Sequence, residues 1–183
     1  MLPITRSDTT RTLGLDLSTK SMAFAVIESG SVDVYGKLYI EGNTIWERAA
    51  CANRNAYYML KMTRPTHVSI ESAVFVNNRS VVIKMAYVYG SVAGVVGAKG
   101  YSMSEVSPLS WGAYIGNPVN NKAQKMMLKK EFPGKTDSWL KGEARRRRKK
   151  FTMDWVESQF GVVVNDDDVA DAIAVAFYAS ENE

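Results

Sequence analysis

The sequence predicts a mixed α/β domain: a five-stranded sheet, its first three strands antiparallel, flanked by helices. Three observations carry this. Three short apolar runs follow one another on tight turns within residues 11–40. The hydrophobic period then changes from two to about 3.6. From there strand-like and helix-like segments alternate, the pattern of a sheet covered by helices. With 183 residues, 46% hydrophobic and 23% charged, the chain has the size and composition of one domain with a real core. It is read as a single domain, 1–183, with a basic helical insertion at about 117–160.

Met1 to Thr10 is short and polar and reads as a loose tail rather than a signal peptide. Arg11 to Leu17 is the first strand. Its period of two puts Leu13, Leu15 and Leu17 on one face and Thr12, Gly14 and Asp16 on the other. Ser21 to Glu28 is the second, and Ser29-Gly30-Ser31 turns the chain into a third, Val32 to Ile40. Asn43 to Met62 has helical spacing, with Asn43 or Thr44 as cap and Arg64-Pro65 as stop. His67 to Glu71 is a fourth strand; on it His67, a structural strand residue, shares a face with Glu71. Ser80 to Ala98 is a long apolar helix carrying Gly90, Gly94 and Ala98 at intervals of four, a smooth face. Its charge-free part, Met85 to Ala98, is too short to span a bilayer. Tyr101 to Val106 is the fifth strand, and Pro108 opens a short helix. Asn120 to Phe132 and Asp137 to Phe160 read as two basic helices parted by Pro133-Gly134, and Asp166 to Ser180 as the last helix.

One histidine and one cysteine exclude a zinc site built from those ligands and argue against Ser-His-Asp chemistry. The single Cys51 excludes an internal disulfide, fits a reducing compartment, and reads as buried packing. The net charge of +4 is unevenly spread: residues 117–150 hold 12 Lys/Arg and 3 Asp/Glu, a local +9, and the rest carries −5. An acidic body with a basic segment points to a polyanion held beside a carboxylate site. Six consecutive cations, Arg145, Arg146, Arg147, Arg148, Lys149 and Lys150, lie near Trp139, Phe151 and Trp155 and point to nucleic-acid backbone contact.

Asp16 on its apolar strand costs free energy unless its charge is compensated, and Glu71 repeats that oddity at the end of another strand. Asp166 and Asp167 read as acids capping the last helix. Asp168 and Asp171, three apart, share one helix face. Two carboxylates about 4 Å apart repel by about 4 kcal/mol at an effective dielectric near 20, a repulsion that a divalent cation removes. Carboxylate oxygens without Cys or His favour Mg²⁺ or Mn²⁺. Asp16, Glu71, Asp168 and Asp171 are therefore expected to form a site for two ions, which could stabilise the attacking and leaving oxygens of a phosphodiester.

The blocks GLDLSTKSMAFAVIE, SIESAVFVNNRSVVIKMAYVYGSVAGVVGA and DDDVADAIAVA resemble, in order, the three signature blocks of RuvC-type Holliday-junction resolvases. That family has the ribonuclease H-like fold. The long basic insertion resembles its viral and phage branch. The resemblance implies a Mg²⁺-dependent endonuclease, with Mn²⁺ as substitute, that resolves four-way junctions by paired symmetric nicks as a homodimer. It carries the catalytic carboxylates over to Asp16, Glu71, Asp168 and Asp171 and a supporting lysine to Lys122. The junction-stacking aromatic falls at Val74, with Phe75 next to it. Phe75, Asn78, Arg79, Lys122 and Lys125 join the basic run as expected DNA contacts, and Met85, Gly90 and Gly94 are expected at the dimer interface. The implied setting is intracellular, the cytoplasm or nucleoid of a bacterial host. Asp16-Leu17-Ser18-Thr19-Lys20 also resembles the first phosphate motif of actin-like ATPases and sugar kinases, an alternative to be weighed with a non-catalytic branched-DNA-binding protein.

Overall fold

The computed structural model describes residues 10–73, 78–118 and 122–182. Five strands form one sheet in the order β3-β2-β1-β4-β5: β1 (Arg11–Leu17), β2 (Ser21–Glu28), β3 (Ser31–Tyr39), β4 (His67–Glu71) and β5 (Ser102–Val106). β1 pairs antiparallel with β2, and β2 with β3; β1 pairs parallel with β4, and β4 with β5. The expected meander followed by parallel strands is the observed topology. A bulge at Val26/Ile27 shifts the β2–β3 register, and β3 begins at Ser31, one residue earlier than the alternation suggests.

The two faces of β1 explain the helices. Leu13, Leu15 and Leu17 join a core with α1 (Ile45–Thr63) and α2 (Arg79–Ala98). A Thr44–Glu47 capping box starts α1, and Arg64, left-handed before Pro65, ends it. On the opposite face lies α6 (Asp167–Asn182), whose alanines pack on Ala23 and Ala25 of β2. Gly14 is required here: a Cβ would stand 2.4 Å from the Ala172 carbonyl oxygen and the Ala176 amide. The sequence thus lets α6 lie almost on the backbone of β1.

The remaining helices are α3 (Pro108–Tyr114), α4 (Lys122–Glu131) and α5 (Asp137–Phe160). Thr136 caps α5 and Gly161, at φ 68°, ends it. α4 is tied to α5 by Arg147–Glu131 and by Phe132 edge-on to Trp139.

Two expectations need correction. Cys51 is half-buried, its thiol 3.7 Å from the Tyr39 carbonyl, because α1 exposes that face beside the edge strand β3. α2 has 20 residues and is long and apolar enough to cross a membrane, because its helix runs beyond the charge-free stretch to Arg79. Val88, Val92, Val95 and Val96 pack in the core, whereas Val81, Val82, Ile83 and Tyr87 are exposed.

Candidate active site

Parallel pairing of β1 with β4 brings their C-terminal ends together. Leu15 is level with Ile70, so Asp16 and Glu71 follow side by side. The Tyr89 hydroxyl donates to the Glu71 carbonyl at 2.9 Å and fixes the strand end from α2. α6 enters over the same face and contributes Asp171. Carboxylate oxygens of Asp16, Glu71 and Asp171 lie within 4.8 Å of one another. Burial and mutual repulsion raise all three: Asp16 to about 6, Glu71 to about 8 and Asp171 to about 7.

The acids line a cavity of about 280 Å³ with Ser18, Ser21, Trp111, Asn117, Thr152, Asp168, Arg145, Arg148 and Lys149. Arg145, Arg148, Lys149 and Thr152 follow the i, i+3, i+4, i+7 spacing of one helix face, so α5 turns a single stripe toward the acids. Buried Asn117 sets that rotation: its amide donates to the Arg148 carbonyl at 2.8 Å and to Thr152 Oγ1 at 3.1 Å. Trp111 Nε1, Glu71 Oε2 and Arg148 Nε are buried without a hydrogen bond of normal geometry, and Trp111 still lies near enough to Glu71 to offset part of its rise.

These residues fit a divalent cation. An all-oxygen donor set converges from three elements, carries an unpartnered buried oxygen, and holds its charges at a cost that a cation would remove.

Asp168 lines the same cavity and helps to raise Asp16, but it is not one of the three acids within 4.8 Å of one another. Its Oδ2 accepts from Lys37 Nζ of β3 at 2.7 Å, and Lys149 lies 3.8 Å away. The four carboxylates expected together all line one cavity; three lie within 4.8 Å of one another and the fourth is ion-paired with Lys37. Asp166 caps α6, accepting from the amides of Asp168 and Val169, and Asp167 pairs with Lys149.

The expected DNA contacts divide. Arg146 and Arg147 pair with Glu143, and Lys150 with Asp154, on the faces of α5 turned from the cavity. Lys122 and Lys125 line a separate groove of about 620 Å³ between α4 and α5, which meets the carboxylate cavity at Arg145 and Arg148. Lys122 therefore lines that groove and not the carboxylate cavity. Asn78 caps α2, with Arg79 exposed beside it; Val74 and Phe75 lie outside the described residues. Met85 is half-buried on α2, and Gly90 and Gly94 are exposed.

Sequence reading missed Lys37, Trp111, Asn117 and Thr152. The helical spacing of Thr152 with Arg145 and Arg148 was a legible signal. Ser18 belongs to the β1–β2 turn, its hydroxyl accepting from the Lys20 and Ser21 amides, an ordinary turn role for the motif that resembles a phosphate loop.

The sheet order and the helices on its faces are those of the ribonuclease H-like fold. The resemblance read from the motifs extends to the fold of RuvC. Thermus thermophilus RuvC, solved in complex with a Holliday junction substrate, is similar with a TM-score of 0.70 and 14% identity, over 93% of each chain. The same organism's RuvC in a second structure gives 0.66 and 13%, again over 93% of each chain. The yeast mitochondrial Holliday junction resolvase Ydc2 gives 0.60 and 11%, over 93% of this chain and 78% of that one. No family model and no curated protein sequence matches the chain.

Proposed function

We propose that the protein is a metal-dependent endonuclease that resolves four-way DNA junctions by paired symmetric nicks, acting inside the cell as a homodimer. The observation that carries this is the meeting of Asp16, Glu71 and Asp171 in a cavity walled by Arg145, Arg148 and Lys149. Carboxylates beside a cationic wall suit a phosphodiester, and the solved structures that share the fold include a RuvC with a Holliday junction substrate.

Asp16, Glu71 and Asp171 would hold Mg²⁺, or Mn²⁺ in its place, which when bound polarises a phosphate and makes water a better nucleophile. Arg145, Arg148 and Lys149 draw the phosphate into the cavity and offset its charge. Asn117 keeps that stripe of α5 turned inward. Trp111 walls the cavity beside Glu71 and limits water there. A two-ion form of the chemistry also needs Asp168, which Lys37 holds at the rim.

The homodimer reading is supported by α2. Val81, Val82, Ile83 and Tyr87 are exposed on it, with Gly90 and Gly94 open to close approach. Two such sites would match the two-fold symmetry of a junction.

The test is a labelled four-way junction and a matched linear duplex, each with Mg²⁺ and with EDTA. Asp16→Asn, Glu71→Gln and Asp171→Asn should each lose at least a hundredfold in cleavage while keeping junction binding. Binding without cleavage by the wild type in both Mg²⁺ and Mn²⁺ would leave a non-catalytic junction binder, and equal cutting of both DNAs would remove the structure selectivity.

A further inference from the structure

We propose that Lys37 is a positioning residue whose ammonium takes the place of a second metal ion, so that the DNA-free site binds one divalent cation on Asp16, Glu71 and Asp171. This rests on the metal-dependent reading above.

Strand register explains how a residue of the edge strand reaches the site. Asp16 is the partner of Ala23, and Ala23 of Lys37, so the three form one row across β1, β2 and β3. Cross-strand partners share a face, and this is the face that α6 covers. The row spans about 10 Å from β1 to β3. The middle residue is alanine, which leaves room for a lysine to lie across the sheet toward the first turn of α6. There its Nζ is 2.7 Å from Asp168 Oδ2 and 3.0 and 2.9 Å from the two oxygens of Asp166.

Exposed Lys–Asp pairs contribute little, but only 20% of this side chain is exposed and it bridges two carboxylates. A lysine ammonium is a cation throughout the range in which carboxylates ionise. Capping does not account for it: Asp166 caps α6 by accepting from backbone amides, whereas Lys37 makes its shortest contact with Asp168.

Charge points the same way. Among the described residues, the cavity and the start of α6 hold six carboxylates: Asp16, Glu71, Asp166, Asp167, Asp168 and Asp171. Facing them are Lys37, Lys149, Arg145 and Arg148. With all six carboxylates ionised, two negative charges are left over, the charge that one divalent ion balances.

The experiment counts bound Mn²⁺ on the DNA-free full chain by calorimetry and by the electron paramagnetic resonance of free Mn²⁺, with circular dichroism melts to show that each variant folds. The wild type should bind one Mn²⁺, and Glu71→Gln should weaken it at least tenfold. Lys37→Gln should take up a second equivalent, while Lys37→Arg stays at one. Asp166→Asn, which loosens the helix start but leaves Lys37 on Asp168, should also stay at one, separating charge replacement from support of the helix. Two equivalents in the wild type, or an unchanged count in folded Lys37→Gln, would overturn the proposal while leaving metal binding intact. No bound Mn²⁺ in the wild type would overturn the metal reading itself and this inference with it.

Discussion

Raising the pH of a metal-free solution from 4.5 to 8.5 should lower the melting temperature, and Mg²⁺ should cancel most of the loss. Asp16 is raised from 3.8 to about 6, Glu71 from 4.5 to about 8 and Asp171 from 3.8 to about 7. Across that window the folded chain keeps protons that the unfolded chain has released. Stability therefore falls as pH rises from about 4 and levels off above about 8. Glu71 alone, at about 1.4 kcal/mol per tenfold change in proton affinity, is on the order of 4 kcal/mol. For a domain of this length each kcal/mol moves the midpoint by about 2–4 °C, so the share of the drop that Glu71 carries is on the order of 10 °C. Carboxylates held below their ordinary values, such as Asp166 beside Lys37, act in the opposite sense but only below about pH 4, where they regain protons. Scanning calorimetry in EDTA and in 10 mM Mg²⁺ reads the effect. On the proposed reading Mg²⁺ binds the ionised folded site, so its stabilisation should grow with pH. Glu71→Gln, with no proton to lose, should flatten the EDTA curve only in part, because the raised Asp171 and Asp16 remain. A midpoint that climbs steadily from pH 5 to 8 in EDTA, or a Mg²⁺ shift equal at both ends, would refute the reasoning.

Three further outcomes are expected. Replacing Arg145 and Arg148 with Ala should weaken binding to every DNA form and flatten the salt dependence by about 0.9 in slope for each phosphate no longer neutralised, whereas Arg146 and Arg147, spent on Glu143 and Glu131, should change it far less; filter binding across a salt series compares the two pairs. Gly94→Leu should leave the monomer intact, since a Cβ there meets nothing within 4 Å. It should weaken the proposed dimer in sedimentation and leave cruciform plasmid as relaxed circles rather than linear DNA. Gly14→Ala should cost about 1–3 kcal/mol in urea unfolding and reduce metal affinity, because its methyl would push the backbone of α6, and Asp171 with it, away from β1.

The parts of the fold governed by local pattern were legible. β1, β2 and β4 occupy the ranges that alternation gave, and Asp137–Phe160 is one helix between a Thr cap and a Gly stop. Asp16 and Glu71 were legible for a different reason, because a carboxylate ending an apolar strand conflicts with its surroundings. The basic run was legible only as a total. Six consecutive cations give a charge but not a direction. Direction is set by the rotation of α5, which depends on Asn117 reaching Arg148 and Thr152 across 31 and 35 residues.

Lys37 marks where local reading stops. On β3 it is one lysine in an alternating strand, and alternation alone would leave it as an ordinary solvent-facing cation. Its meaning comes from three distant facts acting together. The hairpin registers align it with Ala23 and Asp16. Gly14 admits α6 close to the sheet. Asp166 caps that helix so that Asp168 emerges above the same row. Asp168 and Asp171 share a helix face, so spacing predicts one fate for both. Yet Asp171 descends toward Asp16 and Glu71, while Asp168, one turn nearer the helix start, meets Lys37 first. Equal spacing along a helix thus becomes unequal chemistry once a cation from the edge strand lies across the sheet, and that asymmetry is what a count of bound metal ions would read.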